Sequence, residues 1–357
     1  MNPLAGAKNM LLNCGMARAG ERVLIAYEST DLGYYNADAV PCVEQAASEL
    51  GLEVSRLDVG FSPDDPHLTP ELREHFEMAD IIVFLARLGD QLRFARMPEG
   101  QRIIVSFALD SALFGSRFGT THHGAMMSLK HKVSAALSQA ENVRVTCAKG
   151  SDFSGKPELP DELEGDTSIL RFPMSVHQPV PAHTFSGKIA LCGFLTGTGS
   201  RYYDDYTLEF EGQVFAHMEN GLLIGFDGSP EDVAAANAHY DRVSGMFGID
   251  RNFVHSWHAG IHPGCGYPRN ARDNYERWGG SSFGNPRILH FHTCGAYAPG
   301  EISWNMLEPT IEVDGVKVWD DGVFHAERLD GGQAVLDTYP CAKKAFGHPD
   351  RQIGLPV

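Results

Sequence analysis

No two of the seven cysteines (Cys14, Cys42, Cys147, Cys192, Cys265, Cys294, Cys341) form a CxxC pair, and their number is odd. That excludes a zinc ribbon and argues against a disulfide framework, so reduced thiols are expected. No run approaches eighteen apolar residues, so no membrane-spanning helix is expected. Residues 1–13 carry neither a basic flank with a long apolar stretch nor a small-residue cleavage pattern, and a cytoplasmic protein is the expectation. Basic residues are scarce, 29 against 46 acidic ones, for a formal charge of −17 without any Lys/Arg cluster along the chain. A surface of that sign repels phosphate backbones and anionic lipid, which excludes nucleic acid and membrane as partners and leaves a small molecule. The glycines of 115–124 contain neither GxGxxG nor GxxxxGK[ST], so a nucleotide-phosphate loop is not supported.

What is present suffices for an unstapled core: 357 residues, 43% of them hydrophobic and 21% charged, which is more chain than one core usually holds. Apolar strands at 22–27, 53–58, 80–85, 102–107 and 142–147 alternate with helical stretches at 11–19, 41–50, 72–79 and 126–140. That alternation predicts an α/β N-terminal domain, residues 1–150, with a doubly wound parallel sheet. Residues 151–165, rich in proline and acidic side chains, read as a connector. Residues 166–357 then bring short strands between glycine turns and a single long helix at 230–246. Asn220-Gly221 and Asp314-Gly315 are strong hairpin signals. A mostly antiparallel α+β C-terminal domain is expected.

Chemistry concentrates in the histidines, of which there are sixteen. His290 and His292 lie two apart on an apolar strand, so both rings face the same way. Burying two imidazoles without partners is expensive, and a paired face suits zinc, iron, copper or nickel, which geometry and the other ligands distinguish. His255, His258 and His262 fall in a loop-like segment. The string HAGIHPGCGYP has the four-residue spacing of a helical metal motif, but its glycines and proline rule out a regular helix. His217, His239, His325 and His348 stand alone and read as structural. The adjacent pair His122-His123 diverges and reads as a loop or helix start.

Several strings carry a family resemblance. LLNCGMARAGERVLIAYES, VRVTCAKGSDFSG, FPMSVHQPVPAHTFSGKIAL, DDYTLEFEGQVFAHMENG and TIEVDGVKVWDDG are similar, over nearly the whole chain, to segments of the thermophilic-type metallo-aminopeptidases (aminopeptidase T). They also resemble those peptidases' divergent relative, 2,5-dihydroxypyridine 5,6-dioxygenase. The resemblance implies a metal-bearing C-terminal domain and a homo-oligomer, a dimer or larger. HAGIHPG resembles the stretch that supplies a ligand, Glu in the peptidases and His in the dioxygenase, and His258 falls on it. RILHFHTCG resembles a strand with a peptidase ligand histidine, which His290 or His292 would supply. Where both families use an H-x-D pair, this chain reads Ser303-Trp304-Asn305, and near the place of the first peptidase glutamate stand Ser175 and His177.

Without those carboxylates the two-ion bridge of a peptidase is lost, and a mononuclear centre is implied. His258 and His292 are the expected metal ligands, with His290 or His177 as a third. Fe(2+) is the expected ion, Zn(2+) or another divalent metal the alternative. The activity implied is a ring-opening dioxygenase acting on a small hydroxylated aromatic or heteroaromatic acid. His262 is the expected proton-transfer residue because an imidazole ordinarily titrates near neutrality, and His290 is a second catalytic candidate. Ser303, Asn305, Trp304, Tyr202, Tyr203 and Trp257 are expected to bind substrate. A metallo-aminopeptidase or other hydrolase would need carboxylates, for which Glu209, Glu211 and Glu308 are the nearby candidates. A metal-free binding protein on the same fold is the third reading.

Overall fold

The computed structural model describes residues 2–63, 66–93, 95, 97–160, 169–197, 200–295 and 299–355. Strands β1 (Arg22–Tyr27), β2 (Glu53–Asp58), β3 (Ile81–Leu85) and β4 (Arg102–Ser106) form a parallel sheet in the order β2-β1-β3-β4. Successive side chains point to opposite faces. Val23, Ile25, Val83 and Leu85 therefore enter one core while Leu24, Ala26, Ile82 and Phe84 enter another. Burial on both faces explains the unbroken apolar run of β3, and this half is doubly wound as expected. The first helix starts earlier than its periodicity indicated: Pro3–Asn9 is α-helical, capped by the Asn2 side chain, and continues as a wider π-turn over Met10–Cys14.

The strand expected to close the parallel sheet does something else. β5 (Val143–Thr146) pairs antiparallel with β6 (Asp152–Gly155), a strand inside the expected connector. The reason lies in its alternation: Val143 and Val145 are buried and Arg144 is exposed, the pattern of a strand with one wet face. β7 (Leu170–Phe172), from beyond the connector, completes the parallel sheet beside β4. β5 and β6, on either side of residue 150, thus share one sheet, and β7, beyond residue 166, joins the parallel one; residues 161–165 of the expected connector lie outside the described residues.

β8 (Val180–Pro181), β9 (Ser186–Ala190), the small β10 (Phe194–Leu195) and β11 (Leu208–Glu209) pair, β12 (Phe215–Glu219) and β13 (Leu222–Asp227) precede the helix Pro230–Phe247. After it come β14 (Val254–Ala259), β15 (Ile288–Thr293), β16 (Ile302–Leu307), β17 (Thr310–Val313), β18 (Val316–Asp320) and β19 (Val323–Phe324). They build an eight-stranded antiparallel sheet, β13-β12-β9-β6-β5-β17-β18-β19, and a four-stranded one, β16-β15-β14-β8. Both expected hairpins form. Asn220 and Gly221, like Asp314 and Gly315, take positive φ at their tips, the conformation a two-residue type I′ turn requires. The architecture is the expected α/β unit followed by a mostly antiparallel α+β unit. Among the described residues no helix is long and apolar enough to cross a membrane.

Candidate metal centre

The four-stranded sheet sets the site by register. His258 on β14 lies opposite His290 on β15, which lies opposite Asn305 on β16; one step along, Ser256, His292 and Ser303 line up in the same way. Paired residues in an antiparallel sheet project to the same side, so three imidazoles share one face. The intervening row, Trp257, Phe291 and Trp304, points to the other face and into the core. His258 is thus on a strand rather than in the expected loop.

The ligand atoms of His258, His290 and His292 lie within 4.8 Å of one another. The His258 Nδ1–H donates to the His177 carbonyl at 3.1 Å, and the His292 Nδ1–H donates to the Glu301 carboxylate. Those bonds leave a lone pair on each Nε2, and the two Nε2 atoms stand 3.0 Å apart. Two acceptors in that position repel unless a cation lies between them. Metal–nitrogen bonds of ~2.1 Å meeting at about a right angle separate two ligand atoms by this amount. His290 stacks on Phe283, with ring centroids 4.1 Å apart, and its buried Nδ1 has no hydrogen-bond partner.

All three rings are held neutral, as metal binding requires. Burial pushes His290 down to about 3, aided by His177 and Arg93. Burial, then His290 and His292, holds His258 well below its ordinary value. His292 is held well below its ordinary value by burial, then by His290, Arg93 and His255. This donor set fits one divalent cation, with Glu301 and the His177 carbonyl fixing ring tautomers from behind.

The other expected residues are placed differently. His177 is no ligand: its Nδ1–H donates to the Gln178 carbonyl at 2.7 Å and its Nε2 accepts the Ala259 N–H at 3.0 Å, so neither nitrogen is free. His262 packs edge-on against Phe118, and burial pushes it down to about 3, which removes the near-neutral titration expected of a proton carrier. Trp257 and Trp304 face the core, where the Trp304 Nε1–H donates to the Tyr240 hydroxyl, so neither reaches the histidine face. Tyr203 packs on Tyr206 and Phe247; Tyr202 lies close enough to Arg93 and Asp90 to feel their charges. Ser303 and Asn305 do share the histidine face, and the buried Asn305 Nδ2 has no partner. Glu209 is held by Tyr275 and Arg272, and Glu308 by Arg287; Glu211 is exposed. None joins the cluster.

Beside the rings opens a cavity of about 100 Å³ lined by Phe107, Phe118 and Phe283, with Asp90, Arg93 and Arg171 as its charged groups. Arg93 is fixed by the Asp90 carboxylate at 3.1 Å. Asp90 and Arg93 follow the carboxyl end of β3 and Phe107 that of β4, where open α/β sheets place their ligands. Glu301, Arg93 and Arg171 were not foreseen. Glu301 had a signal, since it precedes Ser303 and Asn305 at the strand period of two; the arginines, distant in sequence, had none.

The buried neutral rings carry an acid sensitivity. His123, His177 and His239 are each lowered by burial from 6.5 to about 4. Below the ordinary value the unfolded chain takes up protons that the folded chain refuses, so stability present at neutral pH is lost from pH 6.5 downward and levels off near 4. Each ring carried through that window contributes on the order of 3 kcal/mol. The expected result is a marked fall in the heat-unfolding midpoint between pH 7 and 5; an unchanged midpoint would show these rings to be solvated.

No family model matches this chain, and no curated protein matches it. Among solved structures it is similar to 2,5-dihydroxypyridine dioxygenase from Pseudomonas putida KT2440, at 16% identity and a TM-score of 0.60 over 90% of this chain and 97% of that one. Wild-type AmpT from Thermus thermophilus aligns at 9% identity and a TM-score of 0.49 over 90% of this chain and 98% of that one. Identity this low speaks for architecture alone: the chain has the fold of 2,5-dihydroxypyridine dioxygenase, with a three-histidine cluster able to hold a metal ion.

Proposed function

We propose that this protein is a mononuclear iron(II) dioxygenase that opens the ring of a small hydroxylated aromatic or heteroaromatic acid. The observation that carries the reading is the convergence of three neutral imidazoles, two of them with their remote nitrogens held, at the head of an aromatic cavity bearing two arginines. The dioxygenase fold supports it. Bound to His258, His290 and His292, iron(II) would supply a redox-active Lewis acid.

The chain's own residues do the rest. Glu301 holds the His292 ring in the tautomer that presents Nε2 and makes it a stronger base. Arg93, steadied by Asp90, and Arg171 offer charge-assisted hydrogen bonds to a substrate carboxylate. Phe283 and Phe107 give the ring an apolar wall and exclude water. Asn305, across from His290 on the same face, keeps an Nδ2 donor without a partner beside the metal ligands.

Purified without chelator, the protein is expected to hold about one iron per chain, as a single imidazole cluster implies. It should consume oxygen with a member of a panel of hydroxypyridines and hydroxybenzoates while the ring absorbance disappears. The three-histidine set is also that of catalytic zinc sites. Zinc at full occupancy with no oxygen uptake on any substrate would replace the dioxygenase reading by a hydrolytic one. Two ions per chain would restore the peptidase reading, although no carboxylate ligand joins the cluster among the described residues.

A further inference from the structure

We propose that a second cavity, sharing a wall with the metal centre's cavity, binds a compact dianion. It has a volume of about 440 Å³ and is lined by Arg117, Arg269, Arg277 and Lys344 against only two acids, Asp110 and Asp350. Four cations less two carboxylates leave a local charge of +2, on a chain whose total is −17. In a chain this acidic, unneutralised cations gathered around one concavity focus a positive potential there.

The four cations are not equivalent. Arg277 is buried and already committed, 3.3 Å from the Asp110 carboxylate and 2.9 Å from Asn36 Oδ1. Arg117, Arg269 and Lys344 are exposed, and among the described residues their side chains make neither an ion pair nor a hydrogen bond. The rim thus offers donors while the floor is fixed. Arg269 is close enough to Arg277 to help lower its pKa, after burial, so two like charges face the same cavity. A further unspent group lies deeper. Ser281 is 2% exposed, lines both cavities, and its hydroxyl has no partner. A buried hydroxyl left unpaired is costly, and an oxyanion gripped by the rim cations would lie in the same cavity to accept from it.

Two negative charges balance the excess, and guanidinium groups favour oxyanions they can grip with two N–H bonds. Inorganic phosphate and a short dicarboxylate share that chemistry. The site stands whatever metal the histidines hold.

Calorimetric titration of the metal-loaded protein with phosphate, with maleate and with acetate at matched ionic strength tests it. Saturable binding of phosphate or maleate to a single site is expected, with acetate far weaker, and the tighter dianion names the source. Replacing both exposed arginines, Arg117→Gln with Arg269→Gln, should weaken that binding at least about tenfold, the loss expected for a hydrogen bond to a charged group. Lys344→Gln should weaken it independently. His292→Ala, which disables the metal centre, should leave it unchanged. No saturable binding of either dianion, equal affinity in the double variant, or loss of binding in His292→Ala would overturn the proposal.

Discussion

Replacing His292 by alanine is expected to abolish metal retention while the fold survives. His292 provides one of the two Nε2 atoms that face each other at 3.0 Å, and removing it leaves His258 and His290 as a pair too weak to hold a divalent ion through purification. The more telling variant is Glu301→Gln. Glu301 does not join the three ligand rings; it accepts the His292 Nδ1–H from behind and is 2% exposed. Loss of such a supporting carboxylate typically costs ~10–100-fold in metal affinity. Competition with a chelator of known affinity measures it, and circular dichroism checks the fold. His177, whose nitrogens are both taken by backbone groups, supplies the contrast: His177→Asn should lower stability yet keep full metal stoichiometry. Full occupancy in His292→Ala would dismiss the cluster as a metal centre, and an unchanged affinity in Glu301→Gln would reduce Glu301 to a packing role.

Truncating Arg87 is expected to be among the most damaging single changes to stability. Arg87 is 3% exposed and lies between Glu28, at 3.0 Å, and Glu276, at 2.8 Å, both also buried. Each carboxylate has a further partner: the Arg87 N–H donates to Glu28 and the Arg201 N–H to Glu276. Burial is the main influence on Glu28 and raises its pKa, against the lowering effect of Arg87. Arg87→Ala leaves two carboxylates buried around one lost cation, and breaking such a group typically costs ~3–5 kcal/mol. The consequence reaches the cavity, because Arg87 opens the short helix that carries Asp90, and Glu276 lies on Tyr275–Ser282, which carries Ser281. A lower denaturation midpoint is the readout. Replacing the triad together, Glu28→Gln, Arg87→Met and Glu276→Gln, should recover much of the loss, since it removes the stranded charges. An Arg87→Ala midpoint equal to that of the parent protein would mean that water reaches the triad.

Much of the architecture was legible in local pattern. Unbroken apolar runs marked strands covered on both faces, and Asn-Gly and Asp-Gly pairs marked two hairpins whose tips take the expected positive φ. The misplacement of residues 142–147 came from reading an alternating strand as one more buried strand, although Val143 and Val145 flank an exposed Arg144. At the site, the strand period of two put His290 and His292 on one face, and the same period would have linked Glu301 to Ser303 and Asn305. It would also have turned Trp257 and Trp304 away from the histidines once their strands were paired with β15.

The sequence by itself determined the class of fold, the hairpins, the shared face of His290 and His292, and the acidic balance of the chain. Only the tertiary structure decided which histidines meet, because register between β14 and β15 is a long-range choice that sets His258 opposite His290. It alone decided that His177 and His262 are buried and neutral, because burial is a property of surrounding chain rather than of the ring. It also decided that cations scattered from Arg117 to Lys344 line one cavity, since charges far apart along a chain become neighbours only when the packing of its cores brings them together.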